Sequence, residues 1–300
     1  RTRFLAWCQS RQIALVAGMP DMNYLVAVSG GVDSVVLLDL MVRTGHTVVV
    51  AHVDHGIRDD SAADARFVGE LAARYGVPFV LNEAHLGAVA SEEQAREARY
   101  RFLFEQAGLH DAVIVTAQHL DDLVETVALN LERGTGWRGL SVMARQGIWR
   151  PFLQTPKRTL YEYAMRHHLE WVEDSTNRTD AYQRNRLRRR LGTKSTFSLR
   201  EKVHSMWLHQ LKLRRLIEKE STQLLTSQHG SRYFMSQLEE GLAIELLGSA
   251  IEASGGLRPT RPQLLRTLLA VKTARPGTTY QVGGGVSLKF SARNYTVKVV

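Results

Sequence analysis

Cysteine is almost absent from this sequence, which contains one such residue, Cys8, among 300. A single thiol cannot form an internal disulfide, and it cannot supply the cysteine pair that a CxxC metal site or many sulfur-relay enzymes require. We therefore expect a reducing, cytoplasmic compartment, with Cys8 as a small buried apolar residue.

Long hydrophobic runs are also missing. The longest apolar runs, such as 24–28 and 47–51, have the length of a β-strand and fall far short of the ~20 residues of a membrane span. Residues 1–20 lack the order of positive, apolar and small residues that marks a signal peptide, and the chain does not begin with methionine. The sequence predicts a trimmed start, no export signal and no membrane partner.

The composition is that of a protein with a buried core, since 44% of the residues are hydrophobic and 23% are charged. Wholesale disorder and fibrous architectures are therefore excluded. At roughly 150 residues per domain, a chain of 300 residues predicts two domains.

Positive charge is concentrated in one stretch of the chain. The formal net charge is +9, and residues 184–220 hold twelve basic and three acidic side chains, so the remainder of the chain is neutral. A stretch of this density suits a nucleic-acid backbone, because each lysine or arginine that meets a phosphate releases condensed counterions. A solvated, charged helix surface is the alternative interpretation.

The first half of the chain alternates between strand-like and helix-like patterns. Short runs rich in β-branched residues predict buried strands at 24–28, 47–53, 78–81 and 111–117. Helical patterns lie between them, with capping signals at Ser61 and Ser91 and stop signals at Gly76 and Gly108. This alternation predicts an α/β fold, a parallel sheet with helices on both faces, which binds ligands at the carboxyl ends of its strands.

The pattern changes after about residue 200. Helical patterns cover 199–226, 237–253 and the residues after Pro262, and strand-like runs follow at 279–282, 286–291 and 295–300. These patterns predict a second, smaller α+β domain. We place the boundary near residue 215, which gives a first domain of 1–215 and a carboxyl-terminal domain of 216–300.

A loop of small residues, Ser29-Gly30-Gly31-Val32-Asp33-Ser34, connects the first strand to a helix. Small residues at such a junction let backbone N–H groups surround phosphate oxygens, and the helix dipole favours negative charge there. The string lacks the Gly-Lys-Ser/Thr ending of a Walker loop and the three-glycine spacing of a dinucleotide fingerprint. Asp33 would repel a phosphate unless Mg²⁺ lies between them, so it is a candidate metal ligand.

Further motifs follow the later strands, namely AHVDHGIR at 51–58, ARYRF at 98–102, TAQHLDDLVET at 116–126, RGTGWRGL at 133–140, EDSTN at 173–177 and RNRLR at 184–188. The loop SGGVDS, in its position between strand and helix, resembles that of the pyrophosphate-loop ATP pyrophosphatases, which have an adenine nucleotide alpha-hydrolase-like fold. In their order and spacing over residues 24–190, the motifs together resemble the tRNA(Ile)-lysidine synthetase family.

This resemblance implies a ligase that uses ATP and Mg²⁺ to adenylate the C2 oxygen of the wobble cytidine in a CAU-anticodon tRNA(Ile). Free L-lysine would then displace AMP through its ε-amine, giving lysidine and changing the specificity from Met to Ile. ATP binding is expected at residues 29–34 and at His52, His55 and Arg58, and Arg99 is a catalytic candidate that neutralises phosphate charge. The tRNA contacts are expected at Arg184, Asn185, Arg188, Arg189 and Arg190.

Three carboxylates, Asp121, Asp122 and Glu125, lie at the start of a predicted helix, with Glu125 one turn from either aspartate. The ε-ammonium of lysine has a pKa near ~10.4, so a lysine site must bind a cation and then accept its proton. We predict that this trio does both, and N-terminal helix capping is the alternative. Which of the three binds lysine, faces Mg²⁺ or accepts a proton stays open. Gln118 stands where many related sequences carry histidine, and its amide cannot transfer a proton near neutrality.

The sequence also permits two functions other than a ligase. Another pyrophosphate-loop enzyme, an amidotransferase or a tRNA thiolase, is disfavoured because the chain has neither the cysteines of a thiolase nor a glutamine-hydrolysing domain. A tRNA-binding protein without catalysis is disfavoured because the loop at 29–34 and all three carboxylates are present, although retained motifs are not activity. The sequence leaves the oligomeric state open, a homodimer included.

Overall fold

The computed structural model describes residues 20, 22–54, 61–84, 92–173, 197–228 and 230–299. Cys8, His55, Arg58 and the predicted tRNA contacts at 184–190 lie outside the described residues. The chain divides into two compact units, Arg1–Leu208 and His209–Val300. This division falls within a long helix, α6 (Phe197–Gln228), which also contains the boundary predicted near residue 215.

The first unit contains five strands, β1 (Asn23–Ala27), β2 (Thr47–Asp54), β3 (Phe79–Glu83), β4 (Ala112–Val115) and β5 (Ile148–Trp149). They form one parallel sheet with the order β3-β2-β1-β4-β5. The four runs predicted from the sequence correspond to the first four strands. The prediction that all four are buried is wrong for β3, which lies at the edge of the sheet and is partly exposed. The sequence patterns do not predict β5, because two apolar residues have no periodicity to detect.

Helices cover both faces of this sheet. They are α1 (Val32–Thr44), α2 (Ser61–Tyr75), α3 (Glu92–Leu109), α4 (Leu120–Glu132) and α5 (Lys157–Arg166), with a 3₁₀ turn at Trp137–Leu140. Alternate β1 residues face opposite layers, since Tyr24 and Val26 pack in a core with α1, α2 and α5, whereas Leu25 packs in a core with α3. The predicted fold class is confirmed. None of the helices in the described ranges has the length and apolarity needed to cross a membrane.

The second unit is the predicted smaller α+β structure. It contains α7 (Arg232–Gln237), α8 (Glu240–Ala253) and α9 (Arg261–Thr273), followed by the antiparallel strands β6 (Thr279–Gly283), β7 (Val286–Phe290) and β8 (Tyr295–Val299). The helix predicted at 237–253 begins later, at Glu240, because the Glu239 side chain caps it by accepting the N–H of Leu242 at 3.3 Å.

Candidate active site

The carboxyl ends of β1 and β4 lie side by side, and the chain leaves them toward opposite edges of the sheet. The next strand after β1 is β2 on one side, and the next after β4 is β5 on the other. In open parallel sheets, ligands bind in the crevice at such a switch point. The loops at 28–31 and 116–119 flank this crevice.

The loop after β1 leaves backbone N–H groups available. Gly30 has a φ of +90°, a left-handed conformation that glycine adopts without strain. The Ser34 hydroxyl donates to the carbonyl of Gly31 at 2.8 Å and accepts the N–H of Ser29 at 3.2 Å, which closes the turn. Gly31 begins α1 without a side-chain cap, so no capping side chain takes up the N–H groups of its first turn. This arrangement suits an anion.

The start of α4 lies on the other side of the crevice and is capped by His119. Nδ1 of His119 accepts the N–H of Asp122 at 3.3 Å, and Oδ2 of Asp122 accepts the N–H of His119 at 3.1 Å. This reciprocal pair of hydrogen bonds is a capping box. It fixes the buried imidazole ring with Nε2 facing the loop after β1.

His119 joins the two helix starts. Its Nε2 lies 3.5 Å from Oδ2 of Asp33 and 3.5 Å from Oδ2 of Asp122, and Nζ of Lys157 lies 3.6 Å from the same oxygen of Asp33. Burial opposes ionisation of Asp33, but the hydrogen bond and charge of His119, with the charge of Lys157, lower the pKa of this carboxyl. Burial likewise opposes protonation of His119, but Asp33 and Asp122 raise the pKa of the imidazole.

The raised pKa of His119 predicts a pH-dependent stability. A histidine whose folded pKa exceeds its unfolded value of about 6.5 stabilises the folded state below that pH, and this contribution is lost as pH rises through the folded pKa. The substitution His119→Asn keeps a good N-cap and removes the titration. We expect the stability difference between wild type and His119→Asn to be larger at about pH 6 than at about pH 9.

Urea unfolding followed by tryptophan fluorescence would measure this difference. All five tryptophans lie within residues 1–208, so the signal reports on the unit that contains His119. A difference that stays the same across this pH range would contradict a raised pKa for His119.

The Asp121 carboxylate connects three helices. Its Oδ2 accepts the backbone N–H of Lys157 at the start of α5, at 2.8 Å, and its Oδ1 pairs with Nη2 of Arg200 on α6, at 2.7 Å. The two predicted aspartates therefore both lie at the crevice but make different contacts. Asp122 caps α4 and faces His119, whereas Asp121 accepts a backbone N–H from α5 and pairs with an arginine on α6.

The other predicted residues of the first unit are more dispersed. Glu125 is buried in α4, one turn after Asp121, whereas Arg99 is exposed on α3. His52 is buried at the end of β2, and its Nδ1 lies 2.7 Å from the carbonyl oxygen of Val28. His52 thus contacts the chain just before the loop at 29–34.

Gln118 is part of a hydrogen-bonded group beside the crevice. Its Oε1 accepts from Nε of Arg150 at 2.8 Å and from the hydroxyl of Thr116 at 2.6 Å. Burial would raise the pKa of Tyr100, but hydrogen bonding to Gln118 and the charge of Arg150 lower it. These contacts connect α3 with the chain that follows β4 and β5.

Two residues of the site, His119 and Lys157, are missing from the sequence-based predictions. His119 directly precedes a helix with an acidic first turn, but histidine is not among the preferred N-cap residues, so its residue type gave no signal for this role. Lys157 belongs to another helix, and no local pattern connects it with Asp33.

The Asp33 carboxylate has the features of a Mg²⁺ ligand. Oδ1 of Asp33 is buried and has no hydrogen-bond partner within the described part of the chain. Among those same residues, no group of three or more His, Cys, Asp or Glu side chains could hold a metal ion by itself. Mg²⁺ does not need such a cage, since it commonly takes one or two carboxylates together with substrate phosphates. Asp33, beside a loop that suits phosphate, fits this requirement.

Known sequences resemble the first unit. Residues 7–195 match the PP-loop domain family. A tRNA(Ile)-lysidine synthase from Solibacter usitatus is 43% identical over 169 residues, which cover 54% of this chain and 38% of that protein. Another from Haemophilus ducreyi is 38% identical over 176 residues, which cover 56% of this chain and 41% of that protein. The chain thus spans about two fifths of the length of these curated relatives.

A solved structure supports the fold. The U34-tRNA thiolase NcsA from Methanococcus maripaludis, determined with its 4Fe-4S cluster, superimposes with a TM-score of 0.56 and 14% identity, covering 70% of this chain and 80% of that chain. Similarity at this identity concerns the fold alone. Because the family match covers more than half of the chain and includes the loop at 29–34, this protein belongs to the PP-loop domain family.

Proposed function

We propose that this protein is an ATP-dependent ligase that attaches lysine to C2 of the wobble cytidine in a CAU-anticodon tRNA(Ile), forming lysidine, AMP and pyrophosphate. One observation carries the proposal, which is that the glycine-rich loop and the acidic start of α4 meet through contacts among Asp33, His119 and Asp122. The similarity to two tRNA(Ile)-lysidine synthases supports the choice of substrates.

In the first step, the C2 oxygen of cytidine bonds to the α-phosphorus of ATP, and the bond from that phosphorus to the pyrophosphate oxygen breaks. The loop and the start of α1 would bind phosphate oxygens through backbone N–H groups. Lys157, together with His119 when its imidazole is protonated, would hold positive charge beside Asp33 that offsets the charge developing on pyrophosphate. Arg99 and His52 stay candidates for nucleotide binding, together with His55 and Arg58.

Asp33 is the residue that would hold Mg²⁺, and Asp122 is a further carboxylate at the same nitrogen of His119. When bound, the ion would neutralise phosphate charge and separate it from the Asp33 carboxylate. Oδ1 of Asp33, which is buried and has no partner in the described part of the chain, supports this assignment.

In the second step, the lysine ε-amine bonds to C2 and the bond from C2 to the AMP oxygen breaks. The ammonium must first lose a proton, because its pKa lies near ~10.4. Asp121, Asp122 and Glu125 supply the negative charge that would bind the cation, and a carboxylate can accept its proton. Oδ2 of Asp122 accepts the N–H of His119, and the two oxygens of Asp121 accept the N–H of Lys157 and pair with Arg200, so occupancy does not separate the three carboxylates and all of them stay candidates for these tasks.

The tRNA partner would meet a strongly basic chain. The contacts proposed at Arg184, Asn185, Arg188, Arg189 and Arg190 lie outside the described residues. Within them, the exposed Arg96 and Arg145 lie 5.4 and 4.7 Å from the ring of Tyr100, beside the group that holds Gln118. Exposed guanidinium groups suit phosphates and unstacked bases, which supports an RNA substrate at this edge of the sheet.

The test is incorporation of labelled L-lysine into a transcribed CAU-anticodon tRNA(Ile) in the presence of ATP and Mg²⁺. We expect incorporation that requires ATP and fails when uridine replaces the wobble cytidine. Pyrophosphate release without lysine transfer would reject lysine as the nucleophile. Absence of both reactions in the folded protein would favour a tRNA-binding protein without catalysis.

In the same assay, Glu125→Gln is expected to lower lysine transfer by about 10²-fold or more, because an amide can neither accept the proton nor pair with the ammonium. The matched control is Glu132→Gln, at the exposed carboxyl-terminal end of the same helix, which should retain transfer near the wild-type rate. A normal lysine KM and rate in Glu125→Gln would remove Glu125 from the mechanism.

A further inference from the structure

Arg200 brings a further cation to the candidate active site, at Asp121. It lies in the first turn of α6, and its Nη2 is 2.7 Å from Oδ1 of Asp121, with 28% and 20% of the two side chains exposed. The other carboxylate oxygen of Asp121 accepts the backbone N–H of Lys157. One oxygen of Asp121 is therefore held by a fixed backbone donor, and the other by a side chain that can leave.

The Arg200 contact is incomplete as an ion pair. Nε of Arg200 is buried and has no hydrogen-bond partner in the described ranges, so the two-point contact that Nε and Nη2 together can make with a carboxylate is not formed with Asp121. The first turn of α6 contains no acidic residue, and the helix dipole disfavours a cation at this end. Asp121 therefore supplies the favourable charge at this position, through a pairing that another cation could replace.

The start of α6 has an attachment that does not depend on Arg200. Nε1 of Trp207 donates to the carbonyl oxygen of Val142 at 2.8 Å, and the Trp207 ring is buried. Loss of the Arg200 side chain therefore leaves the helix attached to the first unit through Trp207.

A substrate ammonium presents the same chemistry as the guanidinium of Arg200, namely a positive charge with hydrogen-bond donors. Two cations paired with Oδ1 of Asp121 would lie close together, and like charges at that distance repel. We propose that Arg200 occupies the amine-binding position at Asp121 and competes there with the ε-ammonium of lysine, which sets the affinity of the site for its amine substrate. This inference rests on the proposed function, and it names Asp121 as the carboxylate that binds the amine.

The substitution Arg200→Gln removes the competing charge while keeping a polar side chain of similar length. We expect the KM for lysine to fall by about 1.5- to 5-fold, the range that one partly exposed ion pair corresponds to. L-lysine binding in the presence of ATP and Mg²⁺, measured by calorimetry, should tighten by a similar factor. Guanidinium chloride at low millimolar concentration should compete with lysine more strongly in this variant than in wild type, because it can enter the vacated position.

Two variants serve as comparisons. Arg200→Lys restores a cation and should return the lysine KM toward the wild-type value. Arg74→Gln removes an exposed guanidinium that pairs with Glu170 at 2.8 Å, and it should change neither KM nor binding.

An unchanged or higher lysine KM in Arg200→Gln would overturn the inference, and so would loss of tRNA-dependent pyrophosphate release, since Arg200 would then act in another way. Failure of the proposed function looks different, because wild-type protein itself would then transfer no lysine to tRNA.

Discussion

Asp33→Asn is expected to lower tRNA-dependent release of pyrophosphate from ATP by about 10²- to 10³-fold, the range for loss of one preorganised electrostatic group. The carboxylate of Asp33 faces His119 and Lys157 through one oxygen, and its other oxygen is buried with no partner among the residues that the structure describes. An amide would leave those two cations without their shared counter-charge, and it would be a poor ligand for Mg²⁺. A pyrophosphate-release assay with and without tRNA measures the effect.

Asp111→Asn is the matched control, because it removes an aspartate charge from the same unit at an exposed turn. Asp111 has a φ of +46°, a conformation that asparagine tolerates well, so this variant should fold and react as wild type does. Pyrophosphate release by Asp33→Asn at the wild-type rate would show that Asp33 does not contribute to the reaction with ATP.

The largest effect on stability is expected at Asp39, on α1. This carboxylate is fully buried and accepts hydrogen bonds from the hydroxyls of Tyr163 on α5 and Tyr75 on α2, at 2.5 and 2.6 Å, and from Nε of Arg43 at 2.7 Å. Burial and the neighbouring Asp39 raise the pKa of Tyr75 far above its usual value, so its hydroxyl stays a donor. Asp39 thus connects three helices, α1, α2 and α5.

Asp39→Ala is expected to lower the free energy of unfolding of the first unit by about 3–5 kcal/mol. The substitution leaves two buried or half-buried hydroxyls and a guanidinium without their hydrogen-bond acceptor. Tyr163→Phe, which removes one hydrogen bond to the charged group, should cost about 1.5–3 kcal/mol. Urea unfolding followed by tryptophan fluorescence isolates this unit, since all five tryptophans lie within it.

Tyr161→Phe provides the comparison, since this phenol is 39% exposed on the same helix as Tyr163, and its loss should change stability little. If Asp39→Ala unfolded at the same urea concentration as wild type, the buried carboxylate would not be a major source of stability. A Tyr163→Phe effect no larger than that of Tyr161→Phe would lead to the same conclusion.

Local patterns predicted the parts of the fold that depend on neighbouring residues. Apolar, β-branched runs marked β1 to β4, because buried parallel strands need both faces apolar. The end of α2 was predicted at Gly76, whose φ of +65° is the left-handed conformation that glycine favours after a helix. The loop at 29–34 was recognised because its small residues and its Asp33 are unusual at a junction between strand and helix.

The candidate site was predicted only in part. Asp33, Asp121 and Asp122 are brought together at the crevice, and the order of strands explains why. Their loops follow β1 and β4, which are far apart in the chain but adjacent in the sheet. Arg99 could not be placed from the sequence, because a position on a helical pattern does not say which face of the helix meets the site.

The sequence by itself therefore determined the α/β class, the glycine-rich loop after β1 and the acidic start of α4, since each depends on residues within one turn or one junction. The tertiary structure decided that His119 lies between Asp33 and Asp122, that Lys157 lies close to Asp33, and that Arg200 pairs with Asp121. The physical reason is that these contacts join side chains from α1, α4, α5 and α6. Their distances depend on strand order and helix packing, which local periodicity does not encode.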